Sequence, residues 1–222
     1  MDFRFDVIVQ YLPLLMKGVK LTIQISIIAV AVGTIIGLFI SLVRLSKLWP
    51  LRWLAKGYVE FLRGTPLMAQ IFLIHFGVPP LLGINAFNPL YSGTIALSLN
   101  SGAYVAEIFR GAIQSIEKGQ MEAARSLGMT HAQAMTHIII PQAFKRAIPP
   151  LGNEFIAILK DSSLVSVISL QDLMMAGRIM QGRSFRFIET WLAVSLLYLV
   201  MTLTLSQFVS YLERRFSKSD QS

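Results

Sequence analysis

Residues Leu21–Val43, LTIQISIIAVAVGTIIGLFISLV, form an uncharged stretch that decides the class of fold. A bilayer core about 30 Å thick needs roughly 20 apolar residues of helix, and this stretch is long enough to provide them. Trp191–Leu212 is a second uncharged stretch of sufficient length. Both are predicted to span a membrane, because neither carries a charge that would have to enter the hydrocarbon.

Three further apolar stretches are each interrupted by Pro, Gly, Asn or a charged residue. They lie around Leu67–Leu82, Phe87–Ala106 and Ile148–Leu170. Interrupted spans are typical of bundles that enclose a pathway, where irregular backbone is shielded from lipid. We therefore predict an all-α fold, a polytopic membrane helical bundle with about five transmembrane helices in a single domain, 1–222. The predicted spans are about 15–43, 60–82, 87–111, 148–170 and 190–212.

The composition supports a membrane protein and excludes several other classes. Hydrophobic residues make up 54% of the chain and charged residues 14%, with a mean hydropathy of +0.60. Soluble domains carry about 25% charged residues. The net charge of +8 is scattered between the spans, which argues against nucleic acid as a partner. The chain has no cysteine and three separated histidines, so the sequence predicts no disulfide and no metal site.

Lys and Arg residues indicate how the chain is oriented. With five spans, twelve of them fall on the side that follows the first, third and fifth spans, and six fall on the other side. Basic residues favour the cytoplasmic side, so the N-terminus is predicted outside and the C-terminus in the cytoplasm. A six-span alternative, which splits the region Ile148–Ile188, would move the N-terminus inside. The opening MDFRFD is unlike a cleaved signal, so Leu21–Val43 is expected to remain as an anchor.

A polar, patterned loop at about 117–142 separates the third and fourth predicted spans. Glu122-Ala123-Ala124 favours helix, Gly128 can supply a turn with positive φ, and Thr130 can cap a second helix that begins at His131. Pro141 is expected to end that second helix. Pro149-Pro150 is then expected to start the next span. The loop is therefore predicted to be a helix, a turn and a helix.

Several blocks of this sequence resemble the permease subunits of ATP-binding-cassette importers. The loop resembles their EAA loop at Glu122-Ala123-Ala124, Gly128, Ile138, Ile140 and Pro141, although the family usually has Leu at position 140. Other blocks resemble the polar amino acid permeases of that class, namely Phe61–Leu67, Gly102–Glu107, Gly119-Gln120 and Lys160–Leu164. The similarity covers nearly the whole chain.

The resemblance implies a transport function and a set of partners. Glu122, Ala123, Ala124, Gly128 and Pro141 would couple the permease to a cytoplasmic ATPase subunit. An extracytoplasmic binding protein would deliver the amino acid, and a second permease subunit, identical or paralogous, would complete the pathway in the bacterial inner membrane. The chain lacks a GxxxxGK[ST] loop, so ATP and Mg²⁺ are expected on the ATPase, with no cofactor bound here. A hairpin with no partner is the alternative for this loop.

Acidic residues within the predicted spans are candidates for the substrate pathway, since a charge in a span is costly unless it is paired or faces water. Glu154 and Asp161 are seven residues apart and share a helical face, so they could receive a substrate amino group. Glu107 and Asn153 are further candidates. Alternatively, Lys160 pairs with a carboxylate of the bundle and Asp161 caps a half-helix that starts at Ser162.

Other polar residues near the spans have both a structural and a functional interpretation. Thr65 is predicted to cap the second span, with Pro66 as its first helical residue, and Arg63 could hold a gate or an acidic neighbour such as Glu60. Asn100 and Tyr104 could line the pocket or serve only in packing.

The function predicted from the sequence is thus the membrane-spanning permease of an importer for polar amino acids, which is not itself an enzyme. An ion-coupled secondary transporter is the main alternative, with Glu154 and Asp161 as ion sites. A membrane-embedded enzyme is a third alternative, but the sequence offers it no nucleophile or metal constellation.

Overall fold

The computed structural model describes residues 3–46, 48–85 and 87–217, and the side chains of these residues up to Arg214. Every regular element in these ranges is helical, which confirms the predicted all-α fold. The helices are α1 (Phe5–Arg44), α2 (Trp49–Gly64), α3 (Leu67–Leu81), α4 (Pro89–Gln114), α5 (Lys118–Ser126), α6 (His131–Asp161), α7 (Leu173–Ser184) and α8 (Phe187–Ser217). Helices α3 and α6 each contain one π-helical turn, and a 3-10 helix, Ser162–Ile168, follows α6.

Helices α1 and α4 form the most extensive contact in the bundle. A Cβ added to Gly33 would lie 2.8 Å from Ser101, and one added to Gly37 would lie 2.6 Å from Val105. Small residues allow helix backbones to approach closely where lipid offers no hydrophobic driving force. The pairing of 33 with 101 and of 37 with 105 means that the two helices run parallel.

The second apolar stretch is broken at its start. Helices α2 and α3 meet at an angle of 109°. Thr65 is extended and ends α2, and its hydroxyl donates to the carbonyl of Phe61 at 2.7 Å. Pro66, not Thr65, is the N-cap of α3. The predicted capping by Thr65 is therefore wrong, because its hydroxyl bonds back into the preceding helix.

Three prolines lie inside α6 and neither end nor begin it. The predicted helix end at Pro141 and the predicted start at Pro149-Pro150 are both wrong, since the helix runs from His131 to Asp161. Proline has no N–H to donate to the carbonyl four residues earlier. The chain accommodates Pro141 with a π-helical turn over Met135–Ile139, directly before the helix segment that contains it.

The structural alternative for Asp161, an N-cap of a half-helix that starts at Ser162, is wrong. Asp161 has helical dihedral angles and its side chain caps nothing. Asp172 caps α7, accepting from the backbone N–H groups of Met175 at 2.9 Å and Met174 at 3.2 Å. Asp172 is fully buried, and the backbone N–H of Leu173 donates to Thr22 of α1 at 3.1 Å. The start of α7 is thereby fixed to α1.

Among the described residues, two helices are long and apolar enough to cross a membrane, Phe5–Arg44 and Phe187–Arg214. The number rises to four if each bent pair, α2 with α3 and α6 with α7, counts as one span. Helix α4 has 26 residues but is not apolar enough to be counted as a span by its composition. Much of it is buried among neighbouring helices, so fewer of its side chains have to face lipid. If α4 is added to these four, the total is five, and five spans remain our prediction.

Candidate functional site

The hairpin formed by α5, the turn Leu127–Met129 and the start of α6 has well-defined ends. Gly128 has a φ of +85°, its N–H donates to the carbonyl of Arg125 at 3.0 Å, and the N–H of Met129 donates to Ala124 at 3.2 Å. This is a Schellman motif, which needs a left-handed residue at the position of Gly128. Thr130 and Gln133 then form a capping box at the start of α6. The predicted helix, turn and helix are confirmed.

The hairpin turns a defined set of side chains outwards. Ala124 is buried, whereas Glu122 and Ala123 are exposed and Leu127 is 85% exposed at the tip. Pro141 lies further along α6 and is also exposed. Gln142 donates to Gln120 at 3.4 Å, which ties the two arms together. The hairpin is therefore a braced projection with an apolar tip.

The break between α2 and α3 is closed by two buried amides. The side-chain nitrogen of Gln70 donates to the carbonyls of Leu62 at 2.8 Å and Thr65 at 3.1 Å. Asn100 of α4 donates to Gln70 at 3.0 Å and to Leu62 at 3.3 Å. These bonds satisfy carbonyls that the helix ending at Gly64 leaves without partners. Asn100, predicted to line the pocket, thus has a structural role at the break.

Glu107 of α4 lies among three arginines. It pairs with Arg44 at the end of α1, with Arg110 at 2.5 Å and with Arg63 of α2 at 3.7 Å. The guanidinium of Arg63 also lies over the ring of Tyr104, 5.2 Å from its centroid. The acidic partner predicted for Arg63, Glu60, pairs instead with Lys56 at 3.5 Å. Arg63, Tyr104 and Glu107 therefore form one cluster where α1, α2 and α4 meet.

The acidic residues of α6 differ in their surroundings. Glu154 is 9% exposed and lies close to Ser101 of α4, within electrostatic range of Arg63 and Asp161. Asp161 is exposed at the end of α6 on the same helical face. Asn153 and Lys160 are also exposed, and their positions place them about 100° around the helix. Glu154 and Asp161 thus share a face of α6 two turns apart, and Asn153 lies on a different face.

Three members of these networks were not predicted as site residues: Gln70, Arg44 and Arg110. Gln70 could have been found as a lone amide in an apolar stretch directly after Pro66. Arg44 and Arg110 are among the twelve basic residues that favour a cytoplasmic side, and nothing else in the sequence marks them as site residues. In the described part of the chain, no three His, Asp or Glu side chains lie close enough to hold a metal ion.

A family model and curated proteins match this chain over nearly its whole length. Residues 8–218 match the model of the binding-protein-dependent transport system inner membrane component. The probable glutamine ABC transporter permease protein GlnM of Bacillus subtilis is 42% identical over 205 residues, which cover 92% of this chain and 94% of that protein. The glutamine transport system permease protein GlnP of Escherichia coli is 38% identical over 215 residues, covering 97% and 98%.

Solved structures of similar chains have the same fold. The crystal structure of an amino acid ABC transporter with histidines contains a chain that is 46% identical, with a TM-score of 0.92 over 97% of this chain and 100% of the other. A chain of the MetNI methionine ABC transporter in an inward-facing conformation is 17% identical, with a TM-score of 0.78 over 91% and 96%. The second similarity concerns the fold alone.

Proposed function

This chain belongs to the family of binding-protein-dependent transport system inner membrane components, and we propose that its hairpin couples a partner ATPase to a pathway for polar amino acids. The chain is the multi-pass, non-catalytic permease subunit of an ATP-binding-cassette importer for polar amino acids in the inner membrane. Family membership therefore decides against the ion-coupled transporter and the membrane-embedded enzyme. The carried amino acid belongs to the range named for its relatives, which includes glutamine, arginine and cystine.

The observation that carries the coupling proposal is the shape of the hairpin. An exposed Leu127 at the tip, with Glu122 and Ala123 beside it, provides a compact apolar projection of the kind that fills a groove in a partner. The Schellman motif at Gly128 makes the projection rigid, so a displacement of the tip is transmitted into α6. Because α6 is continuous past Pro141 to Asp161, the same helix joins the hairpin to the pathway residues.

The pathway proposal rests on Glu154 and Asp161. Glu154 is buried where α6 packs against α4, and Asp161 follows two turns later on the same helical face, at the exposed end of the helix. Within the described residues no basic side chain forms an ion pair with Glu154, and Arg63 acts on it only from a distance. A buried carboxylate without a paired cation is costly in a membrane, and the ammonium group of an amino acid can provide that cation. Tyr104 is assigned to the wall of the pathway, and Arg63 with Glu107 to a gate at its hairpin end.

The orientation follows from the hairpin, which must face the cytoplasm to meet an ATPase. Helices α1 and α4 run parallel, and Arg44 at the end of α1 pairs with Glu107 near the end of α4. The ends of both helices thus lie on the hairpin side, which supports an N-terminus outside. The complex would contain two permease subunits, two ATPase subunits that bind ATP and Mg²⁺, and an extracytoplasmic amino acid-binding protein. This chain would bind no cofactor.

Uptake into vesicles tests the function. The full chain, reconstituted with its ATPase subunit, is expected to take up radiolabelled polar amino acids only when ATP is hydrolysed. Orientation is tested separately, since the chain has no cysteine. Leu127→Cys should react with a membrane-impermeant maleimide only from the cytoplasmic side, and Phe3→Cys only from the other side. Uptake by the chain without an ATPase, or labelling of Leu127→Cys from outside, would contradict the proposal.

A further inference from the structure

A basic cavity lies where α1 ends and α2 begins. Its volume is about 300 Å³, and it is lined by Arg44 of α1 and by Arg52, Trp53 and Lys56 of α2. The ammonium group of Lys56 lies over the ring of Trp53, 5.4 Å from its centroid. Neither the coupling hairpin nor the pathway residues of α6 line this cavity.

Helix α2 has three different sides. Ala55, Val59 and Leu62 are buried against the bundle. One flank exposes apolar side chains, with Leu54 71% and Phe61 55% exposed. The opposite flank carries Arg52 and Lys56. A helix that is apolar along one exposed flank and basic along the other is typical of segments that lie in the membrane interface.

The position of the cavity along the bundle agrees with an interfacial location. Arg44 is the last residue of α1, a helix apolar enough to cross the membrane, so the cavity begins where that span ends. Trp49 and Trp53 are both exposed beside it, and tryptophan is enriched at the boundary between lipid and water. Because α1 and α4 run parallel, the cavity opens on the same side of the membrane as the hairpin.

The charges around the cavity are not balanced. Arg44 shares the single carboxylate of Glu107 with Arg63 and Arg110, and Lys56 has Glu60 at 3.5 Å. Arg52 forms no hydrogen bond or ion pair with any residue in the described ranges. An excess of positive charge therefore faces the cavity and attracts an anion.

We propose that this cavity binds the phosphate headgroup of an anionic phospholipid from the leaflet on the hairpin side. Arg52 and Lys56 would hold the phosphate, and Trp53 would lie at the level of the glycerol. The acyl chains would pass over the apolar flank at Leu54 and Phe61. A soluble anion could use the two cations but would have no use for that flank, which is why a lipid fits the surface better. Basic pockets at the cytoplasmic ends of membrane helices are suited to such headgroups.

Fluorescence quenching tests this site directly. The changes Trp49→Phe and Trp191→Phe leave Trp53 as the only tryptophan of the chain. The full chain is reconstituted in phosphatidylcholine, and quenching of Trp53 is compared for brominated phosphatidylglycerol and brominated phosphatidylcholine. We expect a preference for phosphatidylglycerol of at least about fivefold, the effect of one basic residue near an anionic surface. The charge-neutralising pair R52Q and K56Q should abolish the preference, and the charge-preserving pair R52K and K56R should keep it.

A matched control removes two charges from the N-terminal half of α1, on the other side of the uncharged stretch Leu21–Val43. The pair K17Q and K20Q lowers the net charge by the same amount and should leave the preference unchanged. An equal loss of the lipid preference in this control would show that the preference depends only on the overall charge of the chain, which would overturn the proposal. So would competition by excess inorganic phosphate, which would identify a site for a free anion, or loss of quenching when the ATPase subunit is bound, which would identify a protein interface. None of these measurements depends on transport, so they stand apart from the test of the proposed function.

Discussion

The side-chain amide of Asn100 donates to the side-chain oxygen of Gln70 at 3.0 Å, which links α4 to the break between α2 and α3. Gln70, in α3, in turn donates to the carbonyls of Leu62 and Thr65 at the end of α2. Two amides that are thirty positions apart therefore join the two helices across their 109° bend. The bend matters because it places Arg63, at the end of α2, beside Tyr104 and Glu107.

Replacing Gln70 with Leu should destabilise the fold. The change removes the side-chain donor to the Thr65 carbonyl, one of the two side-chain donors to the Leu62 carbonyl and the acceptor of the Asn100 amide, at a cost of about 1–3 kcal/mol. Denaturation of the purified chain in detergent measures the effect. Gln24→Leu is the matched control, because Gln24 is exposed on α1. An equal effect of both substitutions would show that the buried network does not stabilise the bend.

Replacing Glu107 with Gln should destabilise the meeting point of α1, α2 and α4. The change leaves three arginines close together without their carboxylate, and we expect a loss of about 1–3 kcal/mol, between the values for exposed and buried ion pairs. Glu60→Gln removes an exposed pair with Lys56 and should change the stability by no more than about 0.5 kcal/mol. Thermal unfolding of the two variants in the same detergent compares them. Equal midpoints would refute a stabilising role for the cluster.

Adding one methyl group at Gly37 should disturb the contact between α1 and α4. A Cβ there would lie 2.6 Å from Val105, so Gly37→Ala should cost about 1–3 kcal/mol. A Cβ added to Gly111 of α4 would meet no atom within 4 Å, so Gly111→Ala should stabilise the helix by up to about 1 kcal/mol. Unfolding midpoints should therefore move in opposite directions. A shift of the same sign in both variants would contradict the close packing.

Replacing Gly128 with Val should abolish uptake while the chain still inserts into the membrane. Gly128 needs a φ of +85°, which a β-branched residue adopts only with strain, although nothing lies within 4 Å to clash with it. The Schellman motif would be lost and the tip at Leu127 displaced. Gly57→Val is the matched control, because Gly57 is helical, exposed and equally uncrowded. Normal uptake by Gly128→Val would show that coupling does not need the turn at Gly128.

The parts of the fold that the sequence predicted correctly depend on local interactions. Gly128 and Thr130 define the hairpin through bonds to residues at most five positions away, and the pattern of residue types reveals them. The predictions at Thr65, Pro141 and Asp161 were wrong for a related reason. Each assumed a standard helix end, whereas the Thr65 hydroxyl donates to a carbonyl of the preceding helix, a π-helical turn accommodates Pro141, and the Asp161 side chain makes no capping hydrogen bond.

The site depends on contacts that are distant in sequence, which explains why it was predicted only in part. Glu107 was a candidate because it is a charge in a span, but its partner Arg44 is 63 positions away and belongs to another helix. Nothing in the local pattern around Gln70 indicates that Asn100 will reach it. Such pairs are fixed by the packing of α1, α2 and α4, which follows from small residues such as Gly33 and Gly37 only once the helices are in register.

Replacing Glu154 with Gln should weaken substrate binding without preventing assembly of the transporter. The carboxylate is almost fully buried, faces Ser101 of α4, and shares its helical face with Asp161. A hydrogen bond to a charged group contributes roughly 1.5–3 kcal/mol, so the KM for uptake should rise about tenfold or more. Glu60→Gln should leave KM unchanged, because Glu60 is exposed on α2 and pairs with Lys56. The basal ATPase rate of the assembled complex should be equal in both variants. If KM is unchanged in Glu154→Gln and only stability falls, Glu154 supports the packing of α6 against α4 and does not contact the amino acid.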